Sequence, residues 1–95
     1  MNKYEAMYIV NPNVADDARA ALVERFSGIV TNGGGNVEKI VDWGKRKLAY
    51  EIDDLTEGHY ILMHFESESS LPKELERNFK ISEDVMRFLV IRKEA

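Results

Sequence analysis

Cysteine is absent from this 95-residue chain, which removes disulfides and thiolate metal ligation at once. That lack fits a reducing compartment. Histidine occurs twice, at His59 and His64. Five apart on an extended strand, the two rings point to opposite faces and cannot chelate one ion. No apolar run approaches the length needed to span a bilayer. The opening stretch MNKYEAMYIVNPN carries one lysine and a short apolar run stopped by Asn11-Pro12, too short and too strand-like for a signal peptide. A soluble, cytoplasmic chain is expected, with residues 1–95 forming one domain around a single small core.

Positive charge is also in deficit: 13 lysines and arginines face 17 acids, a net −4. Taken as a total, this argues against a polyanionic partner. The distribution is uneven, however. Lys39, Lys45, Arg46 and Lys47 fall close together, and Arg87, Arg92 and Lys93 crowd the end, while the acids gather as Asp16-Asp17, Asp53-Asp54, Glu66 with Glu68, and Glu83-Asp84. A local basic patch is compatible with the overall sign.

Residues 3–10 alternate as a strand, with Tyr4, Ala6, Tyr8 and Val10 on one side. Asn11-Pro12-Asn13 stops it, and Asn13 is placed to cap a helix. Asp16 and Asp17 suit the positive end of that helix. Val14, Ala18, Leu22, Phe26, Ile29 and Val30 recur at spacings of three and four, and Asn32-Gly33-Gly34-Gly35 ends the pattern. A second strand runs from Val37 to Trp43, with a bulge or bend at the broken alternation and at Gly44, and resumes at Leu48. DDLTEG, residues 53–58, reads as a hairpin loop, and 59–67 as the third strand. Ser70-Leu71-Pro72 opens a second helix with the stripe Leu71, Leu75 and Phe79. Residues 85–93 form the last strand. The order β-α-β-β-α-β is the split βαβ plan: an α+β fold with a four-stranded antiparallel sheet, strand order four-one-three-two, and both helices on one face.

The helix-facing side is predicted to hold Ala6, Tyr8, Val10, Ile61, Met63, Phe65, Phe88 and Val90. Met7, Ile9, Tyr60, Leu62, Leu89 and Ile91 then fall on the open side, more apolar than a solvated face should be. Such an area either marks a partner surface or consists of side chains that cover one another.

Chemistry-bearing motifs are scarce. The glycine run follows a helix and precedes a strand, the reverse of a phosphate loop. No nucleophile–base or acid–base pair can be assembled, so no enzyme, metal or cofactor is expected. Acylphosphatases share the plan but carry an arginine loop where this chain has Asn11-Pro12-Asn13. RNA-recognition motifs share it too, but residues 57–65 lack their basic-aromatic signature, and Tyr60 and Phe65 fall on opposite faces. What remains is WGKRKLAYEI, residues 43–52, with three consecutive cations on the flank of a strand. Lys45, Arg46 and Lys47 either guard an edge strand against unwanted pairing or neutralise phosphates beside it, and physics alone leaves both readings open.

YEAMYIVNP at residues 4–12, GKRKLAYEI at 44–52 and VMRFLVIRK at 85–93 occur in this order and spacing. Together they resemble the bacterial small-ribosomal-subunit protein six family, over essentially the whole chain. Asp53 departs from the pattern, since a basic or small residue is more usual there. The resemblance implies a ferredoxin-like fold and a structural role in the ribosome. It further implies binding to the central domain of small-subunit ribosomal RNA together with small-subunit protein eighteen, a basic partner docked at the sheet edge. On that footing Lys45, Arg46, Lys47, Arg87, Arg92 and Lys93 are the candidate RNA contacts, with Lys3 and Tyr4 close by. Val37, Ile40, Val41 and Trp43 are the candidate partner surface. The rival from another class is a homodimeric regulatory ligand-binding domain on the same plan.

Overall fold

The computed structural model describes residues 1–52 and 54–93; Asp53, the departure from the family pattern, lies outside the described residues. The elements are β1 (Asn2–Val10), α1 (Asp16–Asn32), β2 (Asn36–Ile52), β3 (Leu55–Ser67), α2 (Leu71–Ile81) and β4 (Val85–Arg92). The strands form one antiparallel sheet in the order β2-β3-β1-β4, as the sequence predicts. β2 and β4 are its edges.

The core lies between one sheet face and the helices. Tyr4, Ala6, Tyr8, Val10, Ile61, Met63 and Phe65 meet Leu22, Phe26 and Val30 of α1 and Leu71, Leu75 and Phe79 of α2. Phe79 sits at its centre, with ring centroids 4.6 Å from Phe26, 4.9 Å from Tyr8 and 5.3 Å from Phe88. Edge-on and offset rings at these separations attract beyond what buried area supplies.

α1 differs from expectation at its start. Asn13 does not cap it: the Asn11 carboxamide oxygen takes the Asn13 N–H at 2.9 Å, and helix begins only at Asp16. A polar side chain just after a strand can close a local turn instead of a helix end, and here Asn11 does so. Asp16 and Asp17 still occupy the first turn. At the other end Gly34 takes the left-handed conformation, φ 85°, and Gly35 N–H bonds Val30 O at 2.8 Å, closing the helix. α2 opens at Ser70 with Pro72 in its first turn.

The larger difference is in the β2–β3 hairpin. Residues 55–58, expected as loop, are strand: β3 already begins at Leu55, and Ile52 pairs with it. β2 is one continuous strand of 17 residues, and its register shifts at Val37/Lys39 and Asp42/Gly44 fall where the broken alternation predicts a bulge, with a third at Lys47/Ile52. Straight, such a strand would span about 56 Å. The longest dimension of the whole molecule is 38 Å, so β2 bends. Its far half, with the start of β3, forms an arm that folds over the open sheet face.

That fold-over changes the exposed apolar face. Leu48, Ala49, Tyr50 and Ile52 of the arm line a cavity of about 370 Å³ with Met7, Ile9, Tyr60 and Leu89 of the sheet. Ile9 and Leu62 are buried, whereas Leu89 and Ile91 on β4 remain exposed.

Candidate nucleic-acid interface

The arm carries the three consecutive cations, and its geometry starts at Gly44. There the backbone takes φ 76°, a conformation costly for residues with a side chain. Asp42 pairs with Ile61 and Gly44 with Tyr60, so Trp43 is an extra residue in β2. The bulge is pinned by Asp42, whose Oδ1 accepts the Gly44 N–H at 2.8 Å and the Nε2 of His59 at 2.5 Å. Burial by itself would raise the Asp42 carboxyl. The Gly44 N–H, the His59 hydrogen bond and the His59 and Arg19 charges outweigh it and hold the group below its usual range.

Beyond the bulge, Lys45 pairs with His59, Arg46 with Gly58 and Lys47 with Glu57. Directly opposed residues share a face. Lys45 therefore lies on the helix side with His59, Arg46 on the open side, and Lys47 on the helix side again. All three are exposed. The Arg46 Nε donates to Trp43 O at 3.1 Å, which folds its stem back along the bulge. On β4, the Arg87 guanidinium lies 4.7 Å from the centre of the Tyr50 ring. This cation–π contact ties the tip of the arm to the opposite edge strand.

The other candidates sit elsewhere. Lys3 ion-pairs with Glu38 at 3.5 Å, Arg92 donates to the Asn2 side-chain oxygen at 2.9 Å, and Lys93 Nζ donates to His64 Nδ1 at 2.8 Å. Lys3 pairs with Glu66, whereas Lys45 pairs with His59. Seven residues of strand separate those partners, about 23 Å. The cations thus divide into an arm group (Lys45, Arg46, Lys47, Arg87) and a far-end group (Lys3, Arg92, Lys93). Tyr4 belongs to neither: it is 7% exposed and stacks on Phe65 in the core, turned away from solvent.

Of the apolar candidates on β2, Ile40 and Trp43 are exposed, at 39% and 44%. Val37 is half-buried against the core, and Val41 is half-buried on the open side opposite Leu62. The outer edge of β2 has no strand beside it, so alternate backbone groups along 37–43 face outward.

Two contributors escaped the sequence reading. Tyr50 meets Arg87 across 37 positions of chain, and nothing local signals that. Asp42 is different: an aspartate two residues before a glycine is a known turn former, so Asp42-Trp43-Gly44 offered a signal. The structure sends His59 and His64 to opposite sides, His59 buried among the helix-facing residues and His64 opposite Glu5 on the open side. Among the described residues there is no cluster of three or more metal-ligating side chains, and no helix is long and apolar enough to cross a membrane.

Comparison with known proteins agrees with this geometry. A family model described as ribosomal protein S6 matches residues 3–92. The small ribosomal subunit protein bS6 of Clostridium acetobutylicum is 52% identical over 91 residues, 96% of each chain. Its counterpart in Exiguobacterium sibiricum is 48% identical over 94 residues, 99% of each. The crystal structure of 30S ribosomal protein S6 from Thermotoga maritima superposes with a TM-score of 0.92 at 33% identity, covering 97% of this chain and 87% of that one. The C-terminal domain of MgtC from Mycobacterium tuberculosis, at TM-score 0.61 and 15% identity, shares the fold alone. A match from end to end, across β1, the cationic arm and β4 alike, places the chain in the ribosomal protein S6 family.

Proposed function

We propose that this chain binds the central domain of small-subunit ribosomal RNA as one half of a pair with small-subunit ribosomal protein eighteen. Family membership makes it a ribosomal structural protein of the small subunit rather than an enzyme, and puts it in the cytoplasmic ribosome. The observation that carries the RNA reading is the arm: Lys45, Arg46 and Lys47 project from a pinned bulge, all solvent-exposed. Held on paired strands, they give up less freedom on meeting phosphates than cations on a loose loop would. The far-end group of Lys3, Arg92 and Lys93 is a second, separate contact. Phosphate contacts of this kind set position, and selectivity comes from RNA shape and the joint surface with the partner. A basic partner at the β2 edge, over Ile40 and Trp43, offsets the net −4 of this chain.

The test is RNA affinity of the pre-formed pair against salt. Each cation that neutralises a phosphate should, when replaced by alanine, flatten the log–log slope by about 0.7 to 0.9. Alanine at Lys45, Arg46 and Lys47 together should therefore flatten it by about 2 to 3. An unchanged slope rejects the arm as an RNA contact. Trp43, the only tryptophan, should change emission when the partner binds. Unchanged emission with binding shown by another method rejects the edge as the partner surface.

A further inference from the structure

We infer that Asp42 is a positioning residue, a clasp between strands β2 and β3 that decides which face of the arm each of its three cations occupies. The inference rests on the reading of the arm as the RNA-contacting segment. Trp43 is the extra residue of the bulge, so its presence in the ladder or outside it sets the phase of everything that follows. With the bulge, Lys45 and Lys47 share the helix side and Arg46 the open side. Without it, Trp43 would pair with Tyr60 and Lys45 with Gly58, and all three cations would change sides. Apolar burial favours the observed phase only through Leu48 and Ile52, half-buried over the cavity, because Lys45, Arg46, Lys47, Ala49, Tyr50 and Glu51 are all exposed.

Polar contacts at the bulge itself add to that preference. One oxygen of Asp42 holds the Gly44 N–H on its own strand and the His59 ring on the next. The His59 ring is buried, and its Nδ1 has no hydrogen-bond partner. Its polar contact is therefore Asp42. In the shifted phase Gly44 would stand opposite His59, and the Gly44 N–H bond to Asp42, which the bulge turn makes, would lose its geometry. The other charged and titratable groups facing this clasp are Arg19 from α1, itself paired with Asp16 at 2.9 Å, and Tyr8 from β1, whose hydroxyl burial and the Asp42 charge keep protonated.

The experiment is nuclear magnetic resonance on the full chain, comparing the parent with Asp42→Ala and Asp42→Asn. The parent should show cross-strand contacts between Arg46 and Gly58. Asp42→Ala should speed exchange of the Gly44 amide by about tenfold or more. It should also replace part of the Arg46–Gly58 contacts with Lys45–Gly58 contacts. Asp42→Asn keeps an acceptor oxygen for Gly44 and should retain the parent phase. Parent pairing and parent Gly44 protection in Asp42→Ala overturn the clasp. Should Asp42→Ala fail to fold, the unaltered protein still decides: its Gly44 amide shift must titrate together with the Asp42 carboxyl carbon, and a Gly44 shift that follows another group overturns it. RNA affinity of the pair is read in parallel. A shifted phase with unchanged affinity upholds the clasp and overturns the RNA reading of the arm, whereas a shifted phase with several-fold weaker binding upholds both.

Discussion

Gly58 lies close against Ile9 where the arm meets the sheet, and Gly58→Ala tests that contact. A Cβ at this position would overlap Cγ2 of Ile9 and stand 3.4 Å from Leu48 Cδ2. The first approach falls well inside van der Waals contact, so something must move. Ile9 has little room to yield: it is 7% exposed, its branched χ1 is stiff, and its backbone is paired with Tyr60 on one side and Arg87 on the other. Gly58 does not hold a left-handed φ, so alanine adds no backbone strain and, through the unfolded chain alone, would stabilise by about 0.4–1 kcal/mol. Against that, overpacking of this kind costs about 1–3 kcal/mol. In a domain of this size each kcal/mol shifts the melting midpoint by about 4–8 °C, so the clash alone predicts a fall of about 4–24 °C, reduced by the entropic gain. Calorimetry reads the midpoint, and the ring-current shifts of Arg87 side-chain protons read whether Tyr50 still covers them. Relief should come from lifting the arm, so both should change together. Ile9→Ala in the same chain should restore part of the stability, with a coupling of opposite sign to the single effects. A midpoint at or above that of the parent, with the Arg87 shifts intact, would show that the arm does not rest on Ile9 and that the cavity beneath it is an open groove.

Phe79→Ala removes a ring 1% exposed that touches three other aromatics, and should cost about 3–5 kcal/mol in urea unfolding, a large share of the stability of a small domain. Gly34→Ala meets open space but must hold φ 85°, so it should cost about 1–2 kcal/mol by the same measurement, with Gly34→Asn recovering part of it. The Asp42 carboxyl is depressed below its ordinary value of 3.8, so its contribution is fully present above that pH and disappears as pH falls through the lowered value. Unfolding of Asp42→Asn measured across the acid range should therefore show a flatter decline than the parent.

The strands and the helix stripes could be read from the residues because each rests on a local period, and the strand order followed from the usual topology of the βαββαβ plan. Leu71, Leu75 and Phe79 mark one helix face whatever surrounds them, and Tyr4, Ala6, Tyr8 and Val10 mark one side of a strand. The arm could not be read in this way. Thr56 and Glu57 belong to a strand that projects past the core, where no apolar demand imposes alternation, so their polarity resembles that of a loop. Asn11 and Asn13 flank Pro12 with the same side chain, and only the closed turn tells which one is used. For the candidate interface, the positions of the cations along the chain could be read and their grouping in space could not. Whether Lys3 and Lys45 stand together depends on how far along β3 their partners lie, which is a property of register rather than of composition.

The inner place of β1 has a consequence for how the molecule is made. Both of its neighbours, β3 and β4, are encoded after it. A nascent chain emerging at about 5–20 residues per second leaves that first strand waiting for seconds without a ladder. Tyr4, Ala6, Tyr8 and Val10 lack their core partners during that interval, and Lys3 and Glu5 are the charges the strand itself sets against pairing with a neighbour on the same message.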